Sequence, residues 1–211
     1  MDRDVQSRSG PGGFNRRDFL KGSGVAVAAT AVATGVVEEQ AEAQEQRRKV
    51  APAEPQKITL NVNGKMETVT VEPRVTLMDA LRDHLNLTAC KDVCDRSVCG
   101  ACTVLIDGKP VYSCTRLAVE VQGQKITTAE SLHSASGTDP VVTAFCKHDG
   151  MQCGFCTPGF VIAVRGFCNE HPKATFDDLK LGLGGNICRC GTYDGVLKAA
   201  YEVAQATKGG A

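Results

Sequence analysis

The chain of 211 residues carries 24 Lys+Arg against 24 Asp+Glu, a formal net charge of zero, which excludes a nucleic-acid binder that depends on a basic face. Hydrophobic residues make up 42%, enough for a globular core, and with aromatics at 5% and no Trp that core is built from Val, Ile, Leu and Ala. The 11 Cys are too many for chance and too few for a disulfide mini-scaffold; their odd number would leave one thiol over, and no apolar run reaches the ~18 residues that span a bilayer.

The first element in the chain is an address. Asn15-Arg16-Arg17-Asp18-Phe19-Leu20-Lys21 precedes a weakly apolar stretch, Val25 to Val37, and then Ala41-Glu42-Ala43, a small-x-small cleavage pattern. In that order the three parts read as an export signal over residues 1–43. The adjacent arginines ahead of Phe-Leu-Lys resemble a twin-arginine signal, which implies a periplasmic destination. That route carries folded proteins, so cysteines behind it point to a metal cofactor loaded before export, whereas a Sec-type signal would favour disulfides. Gly22-Ser23-Gly24 is no phosphate loop, since no strand precedes it. Residues 44–56, rich in Gln, Glu, Arg and Ala with two Pro, read as a linker.

From residue 57 to about 130 the pattern is β with one helix. Ile58, Leu60 and Val62 alternate with Thr59 and Asn61 as a half-buried strand, and Asn63-Gly64 is a hairpin signal returning through Val69 and Val71. Thr76, with Asp79 three residues on, caps a helix whose apolar face is Leu77, Ala80, Leu81 and Leu85. A Cys-rich loop runs from Cys90 to Cys102. A strand over Thr103–Ile106, a turn at Asp107-Gly108 and a strand from Val111-Tyr112 that carries Cys114 follow, with further β segments at Ala118–Val121 and Lys125–Thr127. Ala129–Asp139 reads as the boundary.

From residue 138 to about 207 the pattern is helical. Helices are expected from Pro140 to Lys147, from Pro158 to Cys168, from Thr175 with its capping partner Asp178 through Leu183, and from Asp194 to Ala206. The predicted fold class is therefore α+β: an N-terminal β-grasp domain followed by a small four-helix bundle.

Eight of the cysteines form two sets of four. Cys94, Cys99, Cys102 and Cys114 follow C-x4-C-x2-C and, 11 residues later, C, the spacing of a plant-type 2Fe–2S ferredoxin site. Zinc sites prefer C-x2-C pairs at both ends, so the x4 gap fits zinc poorly. An anionic cluster also needs backbone N–H groups aimed at its sulfurs, and Gly100 and Ala101 let that backbone approach. The second set is Cys153 and Cys156, then, after 31 residues, Cys188 and Cys190. Both pairs precede a predicted helix, whose N-terminus favours thiolates, and Gly184, Gly185 and Gly191 free the backbone. On these residues alone, four Cys suits 2Fe–2S and zinc alike.

The segments CDRSVCGACTVLIDG, QCGFCTPGF and GNICRCGTY, in this order, resemble the iron–sulfur subunit of the molybdenum hydroxylases, the xanthine dehydrogenase and aldehyde oxidoreductase superfamily, over about Ile58 to Ala206. The resemblance implies a ferredoxin-like 2Fe–2S domain at 57–130 and a helical 2Fe–2S domain at 138–207. It implies one cluster on Cys94, Cys99, Cys102 and Cys114, and a second on Cys153, Cys156, Cys188 and Cys190, nearer molybdenum. Gln152 and Cys190 would face the molybdopterin cofactor of a large partner subunit. Electrons released there would pass through both clusters to FAD in a third, medium subunit. The chain would then be the electron-transfer subunit of an oxidoreductase, with no catalytic residue of its own. No FAD or molybdopterin domain fits beside these domains, given ordinary domain sizes. Cys190-Gly191-Thr192-Tyr193, where the family usually has Cys-Thr-Gly-Tyr, together with the export signal resembles periplasmic three-subunit aldehyde oxidoreductases. Cys90 and Val93 stand where the family often has Thr and Gly. Alternatives are a subunit acting on an N-heterocycle of xanthine, isoquinoline or nicotinate type, a free-standing ferredoxin-like carrier, and a zinc- or disulfide-stapled module.

Of the remaining cysteines, Cys146 and Cys168 fall four residues after Val142 and Val164 and read as buried small hydrophobes. Cys90 is a spare thiol beside a cluster. His148 reads as structural, and with no C-x-H in either cysteine loop a Rieske site is not expected.

Overall fold

Asn63 and Gly64 both take positive φ, 53° and 79°, the two left-handed positions that a tight hairpin turn requires. They fold β1 (Gln56–Val62) back onto β2 (Lys65–Val71) with Ile58 opposite Val69. The computed structural model describes residues 53–134 and 137–206; the export segment and most of the linker lie outside the described residues. Three more strands, β3 (Thr103–Ile106), β4 (Lys109–Tyr112) and β5 (Lys125–Thr127), complete a mixed sheet in the order β2-β1-β5-β3-β4, with β1 and β5 parallel and the other pairs antiparallel.

One helix, α1, packs on this sheet. Thr76 caps it by accepting from the Asp79 N–H at 3.1 Å and donating to the Asp79 carboxylate at 2.7 Å. After one α turn (Leu77–Asp79) it widens into a π turn (Ala80–His84), where Leu85 N–H reaches Ala80 O at 3.1 Å. Leu77, Met78, Ala80 and Leu81 are buried with Ile58, Leu60, Val62, Val104 and Ile126 as the sheet-side core. Each large aliphatic side chain so buried contributes about 1.5–3 kcal/mol.

The second core lies between helices α2 (Pro140–Lys147), α3 (Thr157–Glu170), α4 (Phe176–Gly182) and α5 (Tyr193–Ala206). Thr175 and Asp178 cap α4 reciprocally. Asp139 caps α2 by accepting from Val141 N–H at 2.8 Å, and its carboxylate also pairs with Arg165 of α3. α3 is apolar almost all round because it is covered on all sides, by β3 and β4 on one face and by α2 and α5 on the other. β3 in turn is buried on both faces: Val104 and Ile106 enter the sheet-side core and Leu105 the helical one.

Three expectations are corrected, and one stretch left unassigned is now seen. Ala118–Val121 is a 3-10 turn, not a strand. Its buried residues, Ala118 and Val121, are three apart and its bonds are local, Glu120 N–H to Leu117 O at 3.0 Å with the Glu120 carboxylate accepting from Leu117 N–H. Cys114 lies on a 3-10 turn, Ser113–Thr115, because β4 ends at Tyr112. The boundary stretch holds a 3-10 turn (Ala129–Leu132) and the short pair β6 (His133–Ser134) and β7 (Gly137–Thr138). Cys146 is exposed, since α2 buries Val141, Ala144 and Phe145 and leaves Cys146 outside that face. Cys168 is buried as expected, with only a 3.7 Å contact from its sulfur to Ala200 O. Cys168→Ala is expected to cost on the order of 1 kcal/mol, roughly 2–4 °C in melting temperature, and to leave the iron content of the purified protein unchanged.

Candidate metal centres

The loop from Cys90 to Cys102 winds through three left-handed residues, Asp95 (φ 47°), Ser97 (61°) and Gly100 (69°). Alternating handedness of this kind turns successive backbone N–H groups toward one side, a cradle for negative charge. Here they point at sulfur. Arg96, Val98 and Cys99 N–H groups bond the Cys94 sulfur, Ala101 N–H bonds Cys99, and Ser97 N–H bonds Cys114. Burial opposes ionisation of Cys94, yet those N–H donors outweigh it and hold the thiol at about 7. Burial pushes Cys114 up to about 11 and raises Cys99 as well. The four sulfurs meet two by two: Cys94 bonds Cys99, and Cys102 bonds Cys114. Tyr112, at the end of β4, stands within electrostatic reach of all four.

The second set is built on two helix starts. Cys153 and Cys156 precede and cap α3, and Cys188 and Cys190 precede α5. Gly195 lets the start of α5 lie against the His148 and Asp149 carbonyls, where a Cβ would collide. Again the sulfurs meet two by two, Cys153 with Cys190 and Cys156 with Cys188. Burial opposes ionisation of Cys188, but the Thr192 hydroxyl, 3.2 Å from its sulfur, and the Thr192 and Cys190 N–H groups bring it down to about 7. Phe155 N–H and the Cys190 thiol lower Cys153, while burial pushes Cys156 up to about 12. Cys153 and Cys190 are exposed; Cys188 is buried, and its N–H donates to the Tyr193 hydroxyl at 2.8 Å.

The two loops touch. Ile187 N–H donates to Cys99 O at 2.9 Å, and Cys99, Cys153 and Cys156 line one apolar cavity of about 100 Å3 with Val93, Phe155 and Ile187. Gly159 of α3 sits so close to the Gly100 carbonyl and Ala101 that a Cβ would overlap them.

All eight predicted cysteines are thus gathered into two groups, and Gln152 lies exposed beside Cys153. Of the three glycines credited with backbone freedom, only Gly191 has positive φ, 81°; Gly185 is small because a Cβ would meet the Tyr112 hydroxyl. Three polar residues escaped the sequence reading. Thr192 bonds the Cys188 sulfur, and the Gly-Thr order after Cys190 is its only sequence signal. Asn186 reaches Gly100 O at 2.9 Å. Ser113 donates to Cys102 O at 2.8 Å and lies 2.9 Å from the Cys90 sulfur, whose thiol burial pushes up to about 12. The spare Cys90 therefore packs against the backbone of Cys102 without joining its group. His148 pairs with Glu202 at 2.6 Å, a structural contact between α2 and α5.

Three family descriptions match the chain: a twin-arginine translocation pathway signal sequence at residues 13–33, a 2Fe–2S iron–sulfur cluster binding domain at 63–144, and a 2Fe–2S binding domain at 128–201. The chain is 39% identical over 207 residues to the aldehyde oxidoreductase iron–sulfur-binding subunit PaoA of Escherichia coli (strain K12), covering 90% of this chain and 88% of that one. It is 38% identical over 159 residues to a probable xanthine dehydrogenase subunit of Bacillus subtilis (strain 168), covering 75% and 91%. Among solved structures, a chain of quinoline 2-oxidoreductase from Pseudomonas putida 86 superimposes with a TM-score of 0.69 at 39% identity, covering 72% of this chain and 96% of that one.

Proposed function

Since the chain belongs to the iron–sulfur subunits of the molybdenum hydroxylases, and so serves an oxidoreductase as its electron-transfer subunit, we propose which residues carry the electrons and whom they face. Cys94, Cys99, Cys102 and Cys114 hold one 2Fe–2S cluster, in a β-grasp domain over 57–130. Cys153, Cys156, Cys188 and Cys190 hold the other, in a four-helix domain over 138–207. The observation that carries this is the two-by-two grouping of the sulfurs under converging backbone N–H groups. A dinuclear cluster asks for two thiolates at each iron. A mononuclear zinc site asks instead for all four donors around one point, and the C-x4-C spacing of the first set suits that poorly. When bound, such clusters supply one-electron relays. The chain's residues lower the cost of the thiolates, aim hydrogen bonds at the sulfurs and exclude water from Cys102, Cys114 and Cys188.

The exposed Cys153 and Cys190, with Gln152 beside them, form the face toward a molybdopterin-binding large subunit, and the ferredoxin-like half faces a FAD-binding medium subunit. The substrate, bound in the large subunit, is an aldehyde rather than an N-heterocycle, a reading supported by the likeness to PaoA over 90% of this chain. No helix among the described residues is long and apolar enough to cross a membrane.

The test is metal analysis of the native complex with spectroscopy of the reduced state. About four irons and about four acid-labile sulfides per copy of this chain, with two distinct 2Fe–2S paramagnetic signals, are expected. Stoichiometric zinc, or one signal at full iron loading, would sink the assignment. Gel filtration should find the chain only in a complex with larger subunits; elution alone would favour a free carrier.

The twin-arginine signal directs the chain to the periplasm. Eight ligand thiols reaching an oxidising compartment empty would be trapped as disulfides, so loading precedes transport. Replacing Arg16-Arg17 with Lys-Lys is expected to leave a red-brown, iron-loaded protein in the cytoplasm, read by cell fractionation and iron assay. Periplasmic delivery at the normal level would contradict this role of the arginine pair.

A further inference from the structure

Segment 184–188 sits on segment 99–103 through side chains as well as backbone. The Asn186 amide donates to Gly100 O at 2.9 Å and to the Thr103 hydroxyl at 3.3 Å, and that hydroxyl donates on to Gly100 O at 2.6 Å. The Tyr112 hydroxyl donates to Gly185 O at 2.7 Å, and Ile187 N–H to Cys99 O. Asn186 is 6% exposed and lies two residues before Cys188, while Gly100 directly follows Cys99. A Cβ at Gly100 would stand 2.7 Å from the Asn186 side chain and from Gly185 O, so the two loops meet with no slack. A buried amide with both N–H bonds spent across such a contact fixes the distance between the groups on either side, because leaving its partners unmade in a dry site is costly.

We propose that Asn186 is a positioning residue that holds the two cysteine sites at a fixed separation and thereby sets how fast an electron crosses between the clusters; this rests on the cluster assignment above. The Asn186 amide bonds a carbonyl and a hydroxyl rather than a sulfur, so its effect falls on the spacing of the sites and not on their ligands. Asn186→Asp is the sharper variant. It keeps size and shape but replaces the donor by a carboxylate facing the Gly100 carbonyl, whereas Asn186→Ala only removes the bonds.

The experiment uses the assembled complex with each variant in place. The reduced wild-type complex must first show both 2Fe–2S signals; if it does not, the cluster assignment fails, and it does so independently of any variant. In the variants both signals and the iron content are expected to persist. The splitting caused by magnetic interaction between the two reduced clusters is expected to be lost, and electron redistribution in rapid-freeze samples to slow, more in Asn186→Asp than in Asn186→Ala. A purely packing role predicts the reverse order. Hydrogen exchange reads the contact whether or not iron is retained: the amides of Ile187 and of residues 100–103 are expected to lose protection. Unchanged splitting, redistribution rate and protection in both variants, or a larger effect in Asn186→Ala, would overturn the proposal.

Discussion

Cys188→Ser is expected to remove one of the two 2Fe–2S signals, to halve the iron from about four to about two per chain, and to stop turnover of the complex. Cys188 is the most enclosed thiol of its group, 7% exposed, and is held near 7 by the Thr192 hydroxyl and by N–H groups aimed at its sulfur. A serine hydroxyl at the same place ionises far less readily and is a harder donor than iron–sulfur chemistry favours. The N–H groups that stabilise a thiolate would then face a neutral oxygen. The other group shares no sulfur with this one, so its signal should survive with its shape little changed. Cys99→Ser should give the complementary spectrum, keeping the signal that Cys188→Ser loses. If either serine variant loses both signals, or keeps both at full iron content, the division of the eight cysteines into these two groups is wrong.

Gly159→Ala carries the second large effect, and local rules predict its opposite. Gly159 lies in the first turn of α3, where exchanging Gly for Ala ordinarily stabilises a helix by up to about 1 kcal/mol. In the folded chain the new methyl would overlap the Gly100 carbonyl and press on Ala101. Both neighbours are backbone, so neither can swing aside. Relief requires α3 to move off the first cysteine loop or that loop to change its turn. Overpacking of this kind costs about 2–3 kcal/mol, a fall of roughly 5–10 °C in melting temperature for a chain of this size. The damage should fall on the first cysteine group, seen as lowered iron occupancy or broadening of its paramagnetic signal, with the second group less affected. A variant as stable as the wild type with both signals intact would show that the loop yields without cost.

Much of this molecule was legible because its signals are short-ranged. The turn at Asn63-Gly64, the caps at Thr76 and Thr175, and the helix ends near Pro140 and Ala206 each depend on residues within about one turn of one another. The cysteine spacing belongs with them, since the loop from Cys94 to Cys102 closes on itself through its own N–H groups. The paired arginines are read as an address and need no fold at all. Where local patterns are ambiguous the sequence misleads: Ala118–Val121 reads as a strand but is a 3-10 turn, and Val142 four residues before Cys146 suggests a shared apolar face that α2 does not bury. A short apolar run satisfies either period, and only packing chooses between them.

What the sequence determined by itself is therefore the spacing that sorts eight cysteines into two sets, the export address and the order of the longer helices and of the five sheet strands. The tertiary structure alone decided the partnership of Cys153 with Cys190 and of Cys156 with Cys188, the seating of Asn186 on Gly100 across 86 residues of chain, and the requirement for glycine at 159. Each of these is a contact between groups far apart in the chain. Its existence depends on where α3 and α5 come to rest, and that is set by burying Phe160, Ile162, Val196 and Ala200 in one core rather than by any local preference of the residues that touch.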